Sequence, residues 1–216
     1  MYKLVIFDLD GTLLDTIGDL SAAGNYALAA MGLPTHTENE YKLFVGNGIP
    51  KLIERMLPAG HSPEDEKRAR GLFDEYYSAH KTDKTLPYDG MTELVHELNA
   101  RGVICVCNTN KAHEFSAGLI KGAYGEDIRE VIGEGMGYPT KPSPDAALEF
   151  CRRWCGDRSR VLYVGDSGVD MQTAANAGID ACGVLWGFRG RAELEQFRPA
   201  HIAENVPELK KIILGE

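Results

Sequence analysis

Asp8-Leu9-Asp10-Gly11-Thr12 sets two carboxylates one residue apart at the end of an apolar run. Such a pair can divide a group transfer between them: one carboxylate attacks phosphorus and the other trades a proton with the leaving group. Gly11 lets the chain turn sharply beside any phosphate, with no Cβ in the way. Three further segments offer compatible chemistry. Asn108-Thr109-Asn110-Lys111 presents a hydroxyl and backbone amides suited to a phosphoryl oxygen. Lys141, in Thr140-Lys141-Pro142-Ser143-Pro144, brings an ammonium able to neutralise charge on both a phosphate and Asp8. Gly165-Asp166-Ser167-Gly168-Val169-Asp170 carries two acids a helical turn apart. Mg²⁺ prefers oxygen, typically one or two carboxylates with water and substrate phosphate, which places Asp166 as a ligand and Asp170 as the residue that orients the loop. Taken singly, each segment has a plain reading as a turn, a cap or a solvated lysine. Their joint occurrence, in this order and each at a strand end, is what points to catalysis.

The surrounding pattern supplies those strand ends. Lys3 to Leu9 is a continuous apolar run halted by turn chemistry, as in a strand buried on both faces of a parallel sheet. Ile17, Leu20, Ala23, Ala27, Leu28 and Met31 then recur at helical spacing until Gly32-Leu33-Pro34. Helical segments follow over 38–45, 49–57 and 64–80, with no strand between them. From Pro87 the rhythm alternates. Helices are expected over 91–101, 112–122, 144–155 and 169–177, and strands over 103–108, 130–132, 160–164 and 180–185. Residues 201–203 read as a short edge strand before a closing helix capped by Asn205. Ser143-Pro144 reads as an N-cap with proline at the first helical position. The fold class expected is α/β: a doubly wound, Rossmann-like, mostly parallel sheet with a small helical cap inserted after the first strand. Its core would comprise 1–14 and 86–216, and its cap 15–85.

Bulk properties exclude other classes. The net charge of −9, from 32 acids and 23 bases, repels phosphate backbones, so no nucleic-acid partner is expected. No stretch approaches the ~20 apolar residues of a membrane span, and Met1-Tyr2-Lys3-Leu4 opens no signal peptide. The five cysteines form no C-x-x-C and are read as reduced thiols. A cytoplasmic monomer or homodimer acting on a small molecule is the expectation.

Together the four motifs resemble the haloacid dehalogenase superfamily over most of the chain. The resemblance implies Asp8 as nucleophile and Asp10 as general acid/base. It also implies Thr109 and Lys141 on the phosphate, Asp166 as metal-binding acid and Asp170 as second acid of the last motif. Mg²⁺ would be held by Asp166, a carboxylate oxygen of Asp8 and the backbone carbonyl of Asp10, and the helical insert would be the family's small cap. Phe44-Val45-Gly46-Asn47-Gly48, Gly165 to Met171 and Val184-Leu185-Trp186-Gly187-Phe188-Arg189 are similar to phosphoglycolate phosphatases. That likeness implies a small phosphate ester such as 2-phosphoglycolate as substrate. Asn110 is expected at the phosphate, and Asn47 as a cap contact able to hydrogen-bond a substrate carboxylate or hydroxyl.

A sugar phosphomutase would share the Asp8 chemistry, but its relatives commonly carry Glu-Asp-Ser-x-Ala-Gly where this chain has Gly-Asp-Ser-Gly-Val-Asp. A phospho-accepting signalling receiver lacks a helical insert after its first strand. No G-x-x-x-x-G-K-[ST] occurs for a P-loop kinase, and the scattered histidines argue against a zinc hydrolase.

Overall fold

A computed structural model describes all 216 residues. Strand β1 (Leu4–Phe7) is buried at every position. It pairs in parallel with β4 (Ile104–Ala112) and with β6 (Val161–Gly165). With β5 (Val131–Glu134), β7 (Asp180–Val184) and β8 (His201–Ala203), the sheet runs β5-β4-β1-β6-β7-β8 with every pairing parallel. From β1 the chain winds outward through β4 to β5, then crosses to β6 on the other side. β1 therefore stands at the topological switch, where the strand ends leave a crevice for ligands.

Period-two alternation sorts the two faces. Val5, Phe7, Cys105 and Cys107 pack under α5 (Met91–Ala100), α6 (His113–Tyr124) and α10 (Val206–Leu214). Leu4, Ile6, Val106 and Tyr163 pack under α7 (Asp145–Trp154), α8 (Gly168–Ala177) and α9 (Arg191–Gln196). The five cysteines carry no disulfide, and four of them are buried.

Four helices follow β1: α1 (Ile17–Ala30), α2 (Glu38–Phe44), α3 (Ile49–Met56) and α4 (Pro63–His80). They enclose an apolar cluster of their own, built on Leu20, Tyr41, Leu52, Phe73 and Tyr77, which reaches the rest of the chain through Phe115 of α6. The chain leaves and re-enters through a two-stranded antiparallel ribbon of β2 (Leu14–Asp15) and β3 (Leu86–Pro87). Buried Asp19 ties the return segment to α1 by accepting from the backbone of Lys84 at 3.0 Å and Thr85 at 2.9 Å. No helix is long and apolar enough to cross a membrane.

Three local expectations need correction. β4 continues through a register shift to Ala112 rather than ending at 108, which puts Thr109, Asn110 and Lys111 on the strand's own extension. Helix α7 starts at Asp145 with Pro144 as its cap, and Ser143 Oγ only reaches the Asp145 amide at 3.4 Å. Helix α9 and the β2–β3 ribbon were not expected, because segments of two to six residues are too short to show a periodicity.

Candidate active site

Asp8 follows β1 directly, and its amide donates to the Val164 carbonyl at 2.9 Å, which fixes it against β6. Lys141, in the loop between β5 and α7, points its Nζ at two acids: 2.8 Å to Asp8 Oδ1 and 2.7 Å to Asp170 Oδ1. The approach to Asp170 is a hydrogen bond, whereas Asp8 Oδ1 has no aligned donor. The second oxygen of Asp170 accepts from Ser167 N at 3.1 Å and Ser167 Oγ at 2.7 Å, closing a capping box on α8. Both Asp170 oxygens are thus used in holding Lys141 and the loop. Asp166 stays aimed at Asp8, with one oxygen accepting from the Phe188 amide at 2.6 Å.

Ligand oxygens of Asp8, Asp166 and Asp170 lie within 4.8 Å of one another, and all three residues are buried. Burial pushes the Asp8 carboxyl up from its ordinary range; Lys141 opposes that rise and Asp170 adds to it. Burial, then Asp170 and Asp8, push Asp166 up as well. Burial works against the Lys141 charge too, but Asp170 and Asp8 hold its pKa above the ordinary lysine range. A cluster of oxygen-only donors that is short of positive charge fits a hard divalent cation. Asp8 and Asp166 are the side chains free to hold one. Gly11, at φ +84°, and Gly187 make the room: a Cβ on either would collide with the Asp166 carboxylate.

Asp10 lies outside that triad and lines a cavity together with Asp8. Its Oδ1 accepts from Thr16 Oγ1 at 2.7 Å and from Lys111 Nζ at 3.0 Å. Asp8, Asp10, Thr109, Asn110, Lys111 and Lys141 line the core side of one small cavity. Its opposite wall comes from the helical insert: Leu20, Val45, Gly46, Gly48, Ile49 and Leu52.

A family model of haloacid dehalogenase-like hydrolases matches residues 5–184. The chain belongs to that family. This hydrolase is 35% identical to a phosphoglycolate phosphatase of Pseudomonas syringae pv. tomato, over 99% of its own length and 79% of that protein's. It is 33% identical to a phosphoglycolate phosphatase of Vibrio cholerae, over 98% and 97% of the two chains. A crystal structure from Lactobacillus delbrueckii subsp. bulgaricus, described by inference as a phosphoglycolate phosphatase, superimposes with a TM-score of 0.93 at 31% identity. It covers 100% of the hydrolase and 99% of that chain.

Of the residues singled out in the sequence, Asp8, Asp10, Thr109 and Lys141 meet at the cavity, with Gly11, Asp166 and Asp170 immediately behind. Asn110 also lines it, but its amide is occupied: Oδ1 accepts from Lys141 N at 2.7 Å, and Nδ2 donates to the Lys141 and Gly46 carbonyls. The Asn110 side chain thus ties the Lys141 loop to the Gly46 loop, which leaves its backbone amide as the group it can offer a phosphate. Asn47 is not at the cavity. Its Oδ1 accepts from Arg55 Nη2 at 2.8 Å on the outer side of the loop, so that Gly46 and Gly48 face inward instead. Two residues with contacts at or beside the site were not singled out in the sequence. Lys111 stood inside the motif already noted, next to Thr109, and Arg189 inside the Trp-Gly-Phe-Arg stretch; nothing in their spacing says which carboxylate or carbonyl each would meet.

Proposed function

We propose that this hydrolase is a phosphatase for a small organic phosphate monoester, 2-phosphoglycolate foremost, working through a phosphorylated Asp8 and dependent on Mg²⁺. The observation that carries the reading is Asp8 Oδ1: a buried carboxylate oxygen at the cavity wall, beside an ammonium at 2.8 Å and with no donor aligned on it. An oxygen so placed has a lone pair free to attack.

Asp8 attacks phosphorus, forming its acyl phosphate as the bond to the ester oxygen breaks. Asp10, protonated, gives its proton to that departing oxygen. Asp10, now a carboxylate, takes a proton from water as the water attacks phosphorus, and the acyl phosphate breaks to inorganic phosphate and free Asp8. Thr109 and Lys141 hold the phosphoryl oxygens through both steps, and Asp170 keeps Lys141 in place. Mg²⁺, held by Asp8, Asp166 and the Asp10 carbonyl, would supply charge neutralisation for the phosphoryl group. Residues 15–85 act as the cap over the leaving group, and close it off from water. The free thiols suit a reducing compartment such as the cytoplasm.

The test is a panel of phosphate esters including 2-phosphoglycolate, assayed with Mg²⁺ and with Asp8→Asn as control. Turnover of one small ester well above the others, lost in Asp8→Asn, is expected. Failure to hydrolyse any ester, or full activity in the variant, would refute the reading.

A further inference from the structure

Lys111 lies apart from the groups that hold the phosphoryl moiety. Its Nζ reaches Asp10 Oδ1 at 3.0 Å and Oδ2 at 3.3 Å, and stands 4.9 Å from the centroid of the Tyr77 ring of α4. The side chain is 1% exposed, yet the residue lines the cavity. On the reading above, Asp10 protonates the ester oxygen, so Asp10 marks the side on which the leaving group sits. A cation touching Asp10 is therefore a cation on the leaving-group side. Lys141, by contrast, is divided between Asp8 and Asp170 on the nucleophile side.

The rest of the leaving-group wall is Leu20, Val45, Ile49 and Leu52 with the backbone of Gly46 and Gly48. It contains no other charge. Burial opposes the Lys111 charge, and Asp10 and Tyr77 hold it. An ammonium has three N–H groups, and one carboxylate leaves at least one over. Facing a wall of apolar side chains, that remaining donor is a strong preference for an anion, since a neutral group in the same place gives it nothing comparable.

We propose that Lys111 determines specificity by binding a carboxylate on the leaving group. The hydrolase then selects phosphate esters of small hydroxy acids over esters of neutral alcohols of the same size. This rests on the phosphatase reading and adds to it the residue that makes the choice.

Ethyl phosphate matches 2-phosphoglycolate except that a methyl replaces the carboxylate, so the two esters isolate the interaction. kcat and KM for both are measured with Mg²⁺ for the wild type, Lys111→Met and Lys111→Arg, and glycolate is tested as a competitive inhibitor. The wild type should favour 2-phosphoglycolate, and Lys111→Met should erase roughly 10- to 100-fold of that preference, the range expected for a charged hydrogen bond. The loss should fall mainly on KM, glycolate inhibition should weaken in parallel, and Lys111→Arg should recover part of both. Equal losses on the two esters, with a shifted pH profile on both, would mean that Lys111 only positions Asp10, and would overturn the proposal alone. Should Lys111→Met not fold, Lys111→Arg and the wild type still decide, because a wild type indifferent to the carboxylate and to glycolate overturns it. No turnover of any ester by the wild type would instead remove the phosphatase reading beneath it.

Discussion

Arg189, on the loop after β7, donates from Nη2 at 2.8 Å to the carbonyl of Val45, the residue that closes α2, 144 positions earlier in the chain. The same guanidinium reaches the carbonyls of Lys42 and Leu43, and its Nε lies 3.3 Å from Glu193. Helix C-termini expose unpaired carbonyls and a partial negative charge, which a guanidinium satisfies. One residue away, the Phe188 amide holds Asp166 at 2.6 Å. The loop after α2 and the buried acid Asp166 are thus anchored to adjacent residues of one segment.

Arg189→Met keeps much of the apolar stem and removes these donors. KM for the best small ester should rise, with kcat/KM down on the order of 10-fold, the cost of a few hydrogen bonds to a charged group. Hydrogen exchange of the amides over 42–48 should quicken. Unchanged exchange there would show that Arg189 does not hold the loop.

The Mg²⁺ dependence proposed above has a direct test. Activity should vanish in excess EDTA and return with Mg²⁺, and Asp166→Ala should raise the Mg²⁺ requirement at least ~10-fold, since it removes one of very few carboxylate ligands. A metal titration unaltered by Asp166→Ala would place the ligand elsewhere.

Gly187→Ala offers a subtler route to the same acid. The added methyl would meet Asp166 and the Gly11 carbonyl, and overpacking of that kind costs about 1–3 kcal/mol. The variant should need more Mg²⁺ while Gly118→Ala, whose added Cβ meets nothing within 4 Å, should not. Identical Mg²⁺ titrations for both variants would show that Asp166 tolerates displacement.

The acidic cluster also sets a pH dependence in chelated protein. Burial raises the Asp8 and Asp166 carboxyls above their unfolded values, so their favourable contribution is complete below the ordinary carboxylate range near pH ~4 and is lost as pH rises through the raised values. In EDTA the Tm should therefore fall between acid and mildly alkaline pH, and Asp8→Asn should flatten that fall. Each 1 kcal/mol corresponds to roughly 2–4 °C for a chain of this size. A wild-type and an Asp8→Asn melting profile that run parallel from pH 5 to 8 would contradict the assignment.

Much of this protein was legible without coordinates. The alternation of apolar runs and helical periodicities is local, and local pattern is what decides strand, helix and the face each turns inward. It yielded β1, the four inserted helices and the parallel alternation that follows, and it placed Asp8, Asp10 and Asp166 just after strands that a doubly wound sheet brings together, with Lys141 in the loop after β5 and Thr109 on the extension of β4. What the pattern could not carry is partnership. Whether Asn47 faces the cavity or Arg55 depends on which side of one loop turns outward, and in the fold it is Arg55 that Asn47 meets while Gly46 and Gly48 line the cavity. Asn110 is spent on the Lys141 and Gly46 backbones because two loops far apart in sequence close on it. Lys111 meets Asp10 across 101 positions, and Arg189 meets Val45 across 144. Such contacts are set by which strands and loops lie side by side and by how the helical insert settles on the sheet, relations with no period in the sequence, and only the tertiary structure decided them.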